Sequence, residues 1–371
     1  LVIGKALSRQ GVFCDYLDRW EEAKRLLGEA VALLRGLDAP REIAYALYFL
    51  GQATRHLPVE AEPFYREALA VLREIDDRRG IAFCLRGLAG IEMYRGDMRA
   101  AKQLDQESLA ICRELGNQAD IATCLSDTGF DAWTLGDYEE AKQLGREALA
   151  LYRELDGQEG IVNSLQTLGC AALGLREYAE ARQVWQDGLA LSRERGSTNW
   201  GAHLLHNLAE LANVLGDHAE GMVLSQETLA YAQRLGSPRY MGLAWRVLGE
   251  AASGLGDLSE SRRYFYRALV ATEEAGETVR NPYILVGVAG LLAAEGDEER
   301  AWELLALVLH HPASWQWTKD RAAMLAAELG AELPPDVVVA AQAQGQTGDL
   351  EATVQELLLE LGEREDVTRE A

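Results

Sequence analysis

Leu and Ile stand at helical spacing along most of the 371-residue chain, and on a regular beat a Gly-Asp pair interrupts those stretches. Gly96-Asp97, Gly136-Asp137, Gly216-Asp217, Gly256-Asp257 and Gly296-Asp297 fall on one 40-residue ladder, with Arg176-Glu177 on its remaining rung. Four positions after each Asp or Glu comes a small residue: Ala101, Ala141, Ala181, Gly221, Ser261, Ala301. Seven positions before each Gly stands another: Ala89, Gly129, Gly169, Ala209, Gly249, Ala289, with Gly11 and Gly51 upstream. A third column runs Ala30, Ala68, Ser108, Ala148, Gly188, Thr228, Ala268, each followed by Val or Leu.

These columns predict helical hairpins. Two helices joined by a short turn approach closely only where side chains are small, and Gly or Ala on the first facing Ala or Ser on the second permits it. The Gly-Asp between them ends one helix and caps the next. Aliphatic residues fill the seam to the following hairpin. One hairpin cannot bury its face alone, so such units stack into a one-dimensional core. Eight hairpins are expected from Leu1 to about Leu309; the second is irregular, its turn at His56-Leu57-Pro58 about two residues short. Beyond Leu309 the register is lost, and Pro312 ends a helix. Helical stretches are expected at Ser314–Leu329, Pro335–Gln344 and Asp349–Leu361, and residues 310–371 are read as a capping segment.

The columns resemble the tetratricopeptide repeat: a small residue at the eighth position, Gly-Asp-aromatic at the turn, then Ala, then Ala-Leu. Trp20, Tyr138 and Tyr178 keep the turn aromatic, while Met98, His218, Leu258 and Glu298 depart from it. The 40-residue period exceeds the usual ~34, which adds about one helical turn shared between the two helices. The resemblance implies an all-α, right-handed solenoid of about eight hairpins over 1–309, with the first helix of each lining a concave groove. Carried over position by position, the lining is Tyr48 and Arg55 in repeat two, Arg86 and Tyr94 in repeat three, and Asp127, Phe130 and Trp133 in repeat four. Repeat five gives Asn163 and Gln166, repeat six His203, His206, Asn207 and Glu210, and repeat seven Arg246 and Glu250. Aromatic and Arg side chains are the types that dominate binding hot spots. The carboxylate clamp of some tetratricopeptide proteins needs Lys and Asn at set groove positions, and Asn207 is an isolated match.

Composition narrows the function. A formal charge of −23 repels phosphate backbones and anionic lipid heads, so neither nucleic acid nor membrane is an expected partner. The five cysteines show no C-x-x-C spacing and read as small buried residues of a reducing compartment, the cytoplasm. Phosphate-loop, H-E-x-x-H and G-x-S-x-G motifs are absent. His203 and His206 share a helix face at metal-binding spacing, but with no third ligand near they read as polar groove residues. Cys170 and His206 could face one another, yet no third group orients them for catalysis. Acid pairs such as Glu139-Glu140 open second helices, where the helix dipole explains them. No catalytic residue, metal or cofactor is expected.

Long 40-residue arrays with runs such as Ala148 to Leu155, and the tail from His311-Pro312 onward, look like the C-terminal arms of bacterial signal-transduction ATPases. These form the STAND class, which carries NB-ARC or NACHT modules, with related transcriptional activators. Leu1–Gly11 reads as mid-helix, so an upstream part of the polypeptide is expected. The resemblance implies a non-catalytic sensor that takes a protein or peptide trigger in its groove and regulates an upstream ATPase or effector. A general scaffold, or the arm of a peptide-pheromone receptor or protease, are the alternatives.

Overall fold

The structure, a computed structural model, describes residues 1–16, 19–37, 39–55, 57–195, 198–276, 280–331 and 333–369. His56 of the irregular turn thus lies outside the described residues. Nineteen α-helices and no strand occur among them. Fourteen pair as hairpins, beginning with α1 (Val2–Tyr16) and α2 (Trp20–Arg35), α3 (Pro40–Ala53) and α4 (Pro58–Glu74), and α5 (Arg78–Arg95) and α6 (Met98–Leu115); α7 (Gln118–Leu135) and α8 (Tyr138–Glu154) come next in chain order. The series continues with α9 (Gln158–Gly174) and α10 (Tyr178–Arg195), α11 (Thr198–Val214) and α12 (His218–Leu235), α13 (Pro238–Gly254) and α14 (Leu258–Ala275), and α15 (Asn281–Ala294) and α16 (Glu298–His310). Three helices follow: α17 (Gln316–Gly330), α18 (Pro335–Thr347) and α19 (Leu350–Arg369).

The ladder glycines adopt the left-handed conformation that ends a helix at little steric cost. Gly96, Gly136, Gly216, Gly256 and Gly296 have φ between 80° and 89°. Arg176 holds the same conformation on its rung, at φ 62°. The Asp that follows caps the next helix: the Asp97, Asp217, Asp257 and Asp297 side chains accept from backbone N–H groups of Ala100, Glu220, Glu260 and Arg300. A second ladder, not anticipated from the sequence, ends the second helices. Gly116, Gly236 and Gly276 take positive φ there, and Asp76 and Asp156 take it on rungs of the same 40-residue spacing.

The small columns do face one another, as at Gly249, whose carbonyl accepts from Ser261 Oγ at 2.8 Å. They also make room for a large side chain 16 residues on. A Cβ at Gly169 would meet the Trp185 ring at 2.2 Å, and one at Gly249 the Phe265 ring at 2.9 Å. In repeat two the partner of Gly51 is Tyr65, 14 residues on, the offset that a turn two residues shorter produces. Trp185, Phe265 and Tyr65 are among the most deeply buried side chains.

The chain divides into two compact units: Leu1–Ala132 with Ala150–Asp156, and Trp133–Leu149 with Gly157–Ala371. In the first, Leu27, Leu34, Leu47, Tyr65, Leu72, Leu85 and Ile91 are fully buried. In the second, a cluster centred on Phe265, Leu285, Leu291 and Leu305 takes in Ala322 and Ala326 of α17 and Val354, Leu357 and Leu361 of α19. Gly345 of α18 lies so close to α16 that a Cβ would sit 2.5 Å from Ala306. No described helix is long and apolar enough to cross a membrane.

Candidate functional site

In the first unit the first helices α3, α5 and α7 present one side-chain chain of contacts. Tyr48 stacks on Phe83 with ring centroids 5.7 Å apart and accepts from Gln52 Nε2 at 3.1 Å. Arg86 of α5 reaches across to Asp127 of α7 through Nε at 2.7 Å and Nη2 at 2.6 Å. Behind this pair lie two further carboxyls, Asp105 of α6 and Asp131 of α7, both buried. Burial pushes Asp105 well above the aspartate range, with the Asp127 and Asp131 charges adding. Burial likewise lifts Asp131 to about 7, against the hydrogen bond with Asp105 that lowers it. Arg55 does not join this group: at the end of α3 it donates to Asp15 at 2.9 Å and to the Gln52 carbonyl at 2.6 Å. Tyr94 stands exposed near the end of α5, and Phe130 is half-buried on α7.

The second unit brings more of the expected residues together. Gln166 Nε2 lies 3.2 Å from His203 Nε2. His203 stacks on Trp200, with centroids 6.2 Å apart, and meets Tyr240 edge-on at 6.0 Å. Burial, with the charges of Arg239 and Arg280, drops His203 to about 3. Burial and Arg246 likewise hold His206 well below its ordinary value, so both imidazoles are neutral at pH 7. Asn207 Nδ2 points at Cys170 Sγ from 4.0 Å, and Asn163 is half-buried on α9, one turn before Gln166. No group of three or more His, Cys, Asp or Glu is placed to hold a metal among the described residues.

Glu210 of α11 and Arg246 and Glu250 of α13 form a buried ion network. Arg246, 1% exposed, donates to Glu250 Oε1 at 2.7 Å and Glu210 Oε2 at 3.4 Å, and its guanidinium sits 3.8 Å from the Tyr283 ring centroid. Burial alone would raise Glu250, but Arg321 and Arg246 together hold it below the glutamate range.

That network corrects the expectation of an open lining. Glu210, Arg246 and Glu250 are covered by α17, part of the segment read from sequence as a cap. Trp317 Nε1 donates to Glu210 Oε1 at 2.9 Å and to Tyr283 Oη at 3.3 Å. Arg321, one helical turn on, donates to Glu250 Oε1 at 3.1 Å and lies 3.6 Å from Glu210. Trp133 is buried edge-to-face against Trp315 at 5.4 Å, and Tyr138 Oη donates to Asp320 at 2.8 Å. Tyr283, Trp315, Trp317, Asp320 and Arg321 escaped the sequence reading. The signal available for them was Trp315-x-Trp317 followed by Arg321 at helical spacing.

Residues 80–154 match the tetratricopeptide repeat family model. No curated protein matches the chain in sequence. Among solved structures, the chain is similar to a Rap protein complexed with competence and sporulation factor (16% identity, 85% of this chain and 84% of that one, TM-score 0.63). It is similar also to the Rap conjugation gene regulator of plasmid pLS20 in complex with the Phr* peptide (14%, 87% and 96%, TM-score 0.62). A third likeness is to a Signal Transduction ATPase with Numerous Domains, a STAND protein with a tetratricopeptide repeat sensor, from Pyrococcus horikoshii (13%, 91% and 55%, TM-score 0.53). At these identities the likeness is one of fold: the chain is an all-α tetratricopeptide-type solenoid.

Proposed function

We propose that this chain is a non-catalytic sensor solenoid whose first-helix face takes a protein or peptide ligand and regulates an ATPase or effector module of the same polypeptide. The observation that carries the reading is the docking of α17. A helical segment already lies on that face in the second unit, gripping Glu210 and Glu250 with one Trp and one Arg four residues apart. A face that satisfies a helix's aromatic and cationic side chains in this way has the chemistry of a peptide-binding surface. The 40-residue period and the likeness to a STAND sensor support the regulatory half. Two of the similar structures hold a peptide or a sporulation factor, which favours a peptide over a folded protein as trigger.

The test is selection of peptides from a random display library on the intact chain, followed by binding to a Tyr48→Ala, Arg86→Ala, Asn163→Ala variant. These three side chains are half-buried on first helices, and the variant's helical circular dichroism and thermal midpoint, compared with the parent, check that it keeps its fold. Enriched peptides should lose at least tenfold in affinity on the variant. Equal binding to both proteins would move recognition off the first helices. Where a peptide is found, its addition to the full-length polypeptide should change the rate of ATP hydrolysis.

A further inference from the structure

A cavity of about 570 Å³ lies in the second unit between the first helices and α17, within the size range of small-ligand sites. Val214, Val286 and Leu325 give it apolar walls, and α17 closes one side with Trp317 and Met324.

Two features of the lining are unexplained by the fold. The first is Glu250. Arg246 and Arg321 both donate to its Oε1, which leaves Oε2 buried without a hydrogen-bond partner. Its side chain is 9% exposed. A buried carboxylate oxygen in that state is costly and calls for a donor. The second is Arg176, exposed at the cavity's edge in the left-handed conformation. Five sibling rungs use Gly there, and a long side chain at φ 62° stores strain that persists where a function holds it. Among the described residues its side chain makes one weak hydrogen-bond contact, to the Met324 sulfur at 3.8 Å.

The lining carries both signs of charge: Glu250, Asp320 and Glu328 as acceptors, Arg176 and Arg321 as donors, with Arg246 behind Glu250. Asp320 is already engaged by Tyr138 and Gln316, which leaves Glu250 as the inner acceptor. Glu328 is exposed at the edge. We infer that this cavity binds a small zwitterionic ligand of the amino-acid or short-peptide class, with a guanidinium or ammonium at Glu250 Oε2 and a carboxylate at Arg176. The inference rests on reading this face as ligand-binding, and it names the ligand's two ends.

Isothermal titration calorimetry of the intact chain tests it with three probes: free arginine, the dipeptide leucyl-arginine and that dipeptide's C-terminal amide. At least one of the two carboxylate-bearing probes should bind, the dipeptide more tightly if the source is a peptide end and arginine as tightly if it is a free amino acid. Glu250→Gln should weaken binding at least tenfold. Arg176→Gly should reduce the dipeptide to the affinity of its amide. Because Glu250→Gln disturbs an ion network, Gly290→Leu serves as a second variant. A Cβ there has only Leu325 at 3.8 Å, so the longer side chain fills the cavity and should abolish binding without touching a charge. The inference falls if no probe binds at millimolar concentration, or if wild type and all three variants bind alike. Library peptides that still bind through Tyr48 and Arg86 would in that case leave the sensor reading standing and remove only the cavity ligand.

Discussion

The two units share one repeat and one set of caps, yet they treat charge on their first helices in opposite ways. In the first, Arg86 and Asp127 meet partly open to water, with side chains 24% and 34% exposed. In the second, Arg246 and Glu210 are 1% and 6% exposed beneath α17. An open pair is screened and contributes about 1 kcal/mol or less, whereas breaking a buried one strands a charge at about 3–5 kcal/mol. The same backbone therefore offers an adjustable surface in one unit and a fixed one in the other. Arg246→Met should cost about 3–5 kcal/mol by urea denaturation, and Arg86→Ala about 1 kcal/mol or less. Equal losses would erase the contrast.

The units should also respond to pH with opposite signs. Asp131, lifted to about 7, keeps in the fold a proton that the unfolded chain releases near 3.9. Its contribution is whole below 3.9 and is lost as pH rises through 7. Asp131→Asn should therefore stabilise the protein at pH 8, with the gain shrinking as pH falls below 7. The groups facing Asp131, namely Asp105, Asp127 and Lys102, stay unchanged in that variant. His203 and His206 work the other way, since burial keeps them neutral. Their contribution is present above about 6.5 and is lost as pH falls, by about 1.4 kcal/mol per unit for each imidazole. Hydrogen-exchange protection of α7 and α11, compared at pH 5.5 and pH 8, should move in opposite directions. A shift of the same sign in both helices would overturn the assignment.

How far the sequence showed this depends on whether a feature repeats. The Gly-Asp ladder forecast the left-handed glycines, the Asp caps and the hairpin order, because each rung solves the same local problem of ending one helix and starting another. The seam between Gly169 and Trp185 was legible too, by comparing positions 16 apart, but only the small half of the pair was read. The site was harder. Glu210, Arg246 and Glu250 were expected on one face by carry-over from the tetratricopeptide repeat, and the structure brings the three together in one ion network. Their cover was not expected, because the Trp317–Glu210 bond joins residues 107 apart and leaves no periodic trace. Arg55 departs for a local reason: α3 ends at Ala53, and the Arg55 guanidinium beyond it turns back to the Gln52 carbonyl and to Asp15.

Trp317 measures how firmly that cover is held. Trp317→Ala removes the donor to Glu210 and the contact with Tyr283, for a loss of about 2 kcal/mol. Amide protection in α17 should fall before that in α13. If α13 loosens first, α17 is a part of the core and not a segment laid upon it.

The smallest expected effect compares the non-glycine residues in left-handed conformation. Asp156 and Asp76 in the first unit belong to the residue types that visit this region with little penalty. Arg176 in the second does not, and its long side chain crowds the following carbonyl at about 1–2 kcal/mol. Glycine relieves that crowding but adds freedom to the unfolded chain, which returns about 0.5–1 kcal/mol. Arg176→Gly should therefore stabilise by about 0.5–1 kcal/mol, and Asp156→Gly should change stability little or lower it. Both are read as shifts in thermal midpoint against the same parent. A gain at Arg176 without one at Asp156 means that the second unit keeps a strained arginine that glycine would improve upon, as expected where the side chain serves binding rather than folding.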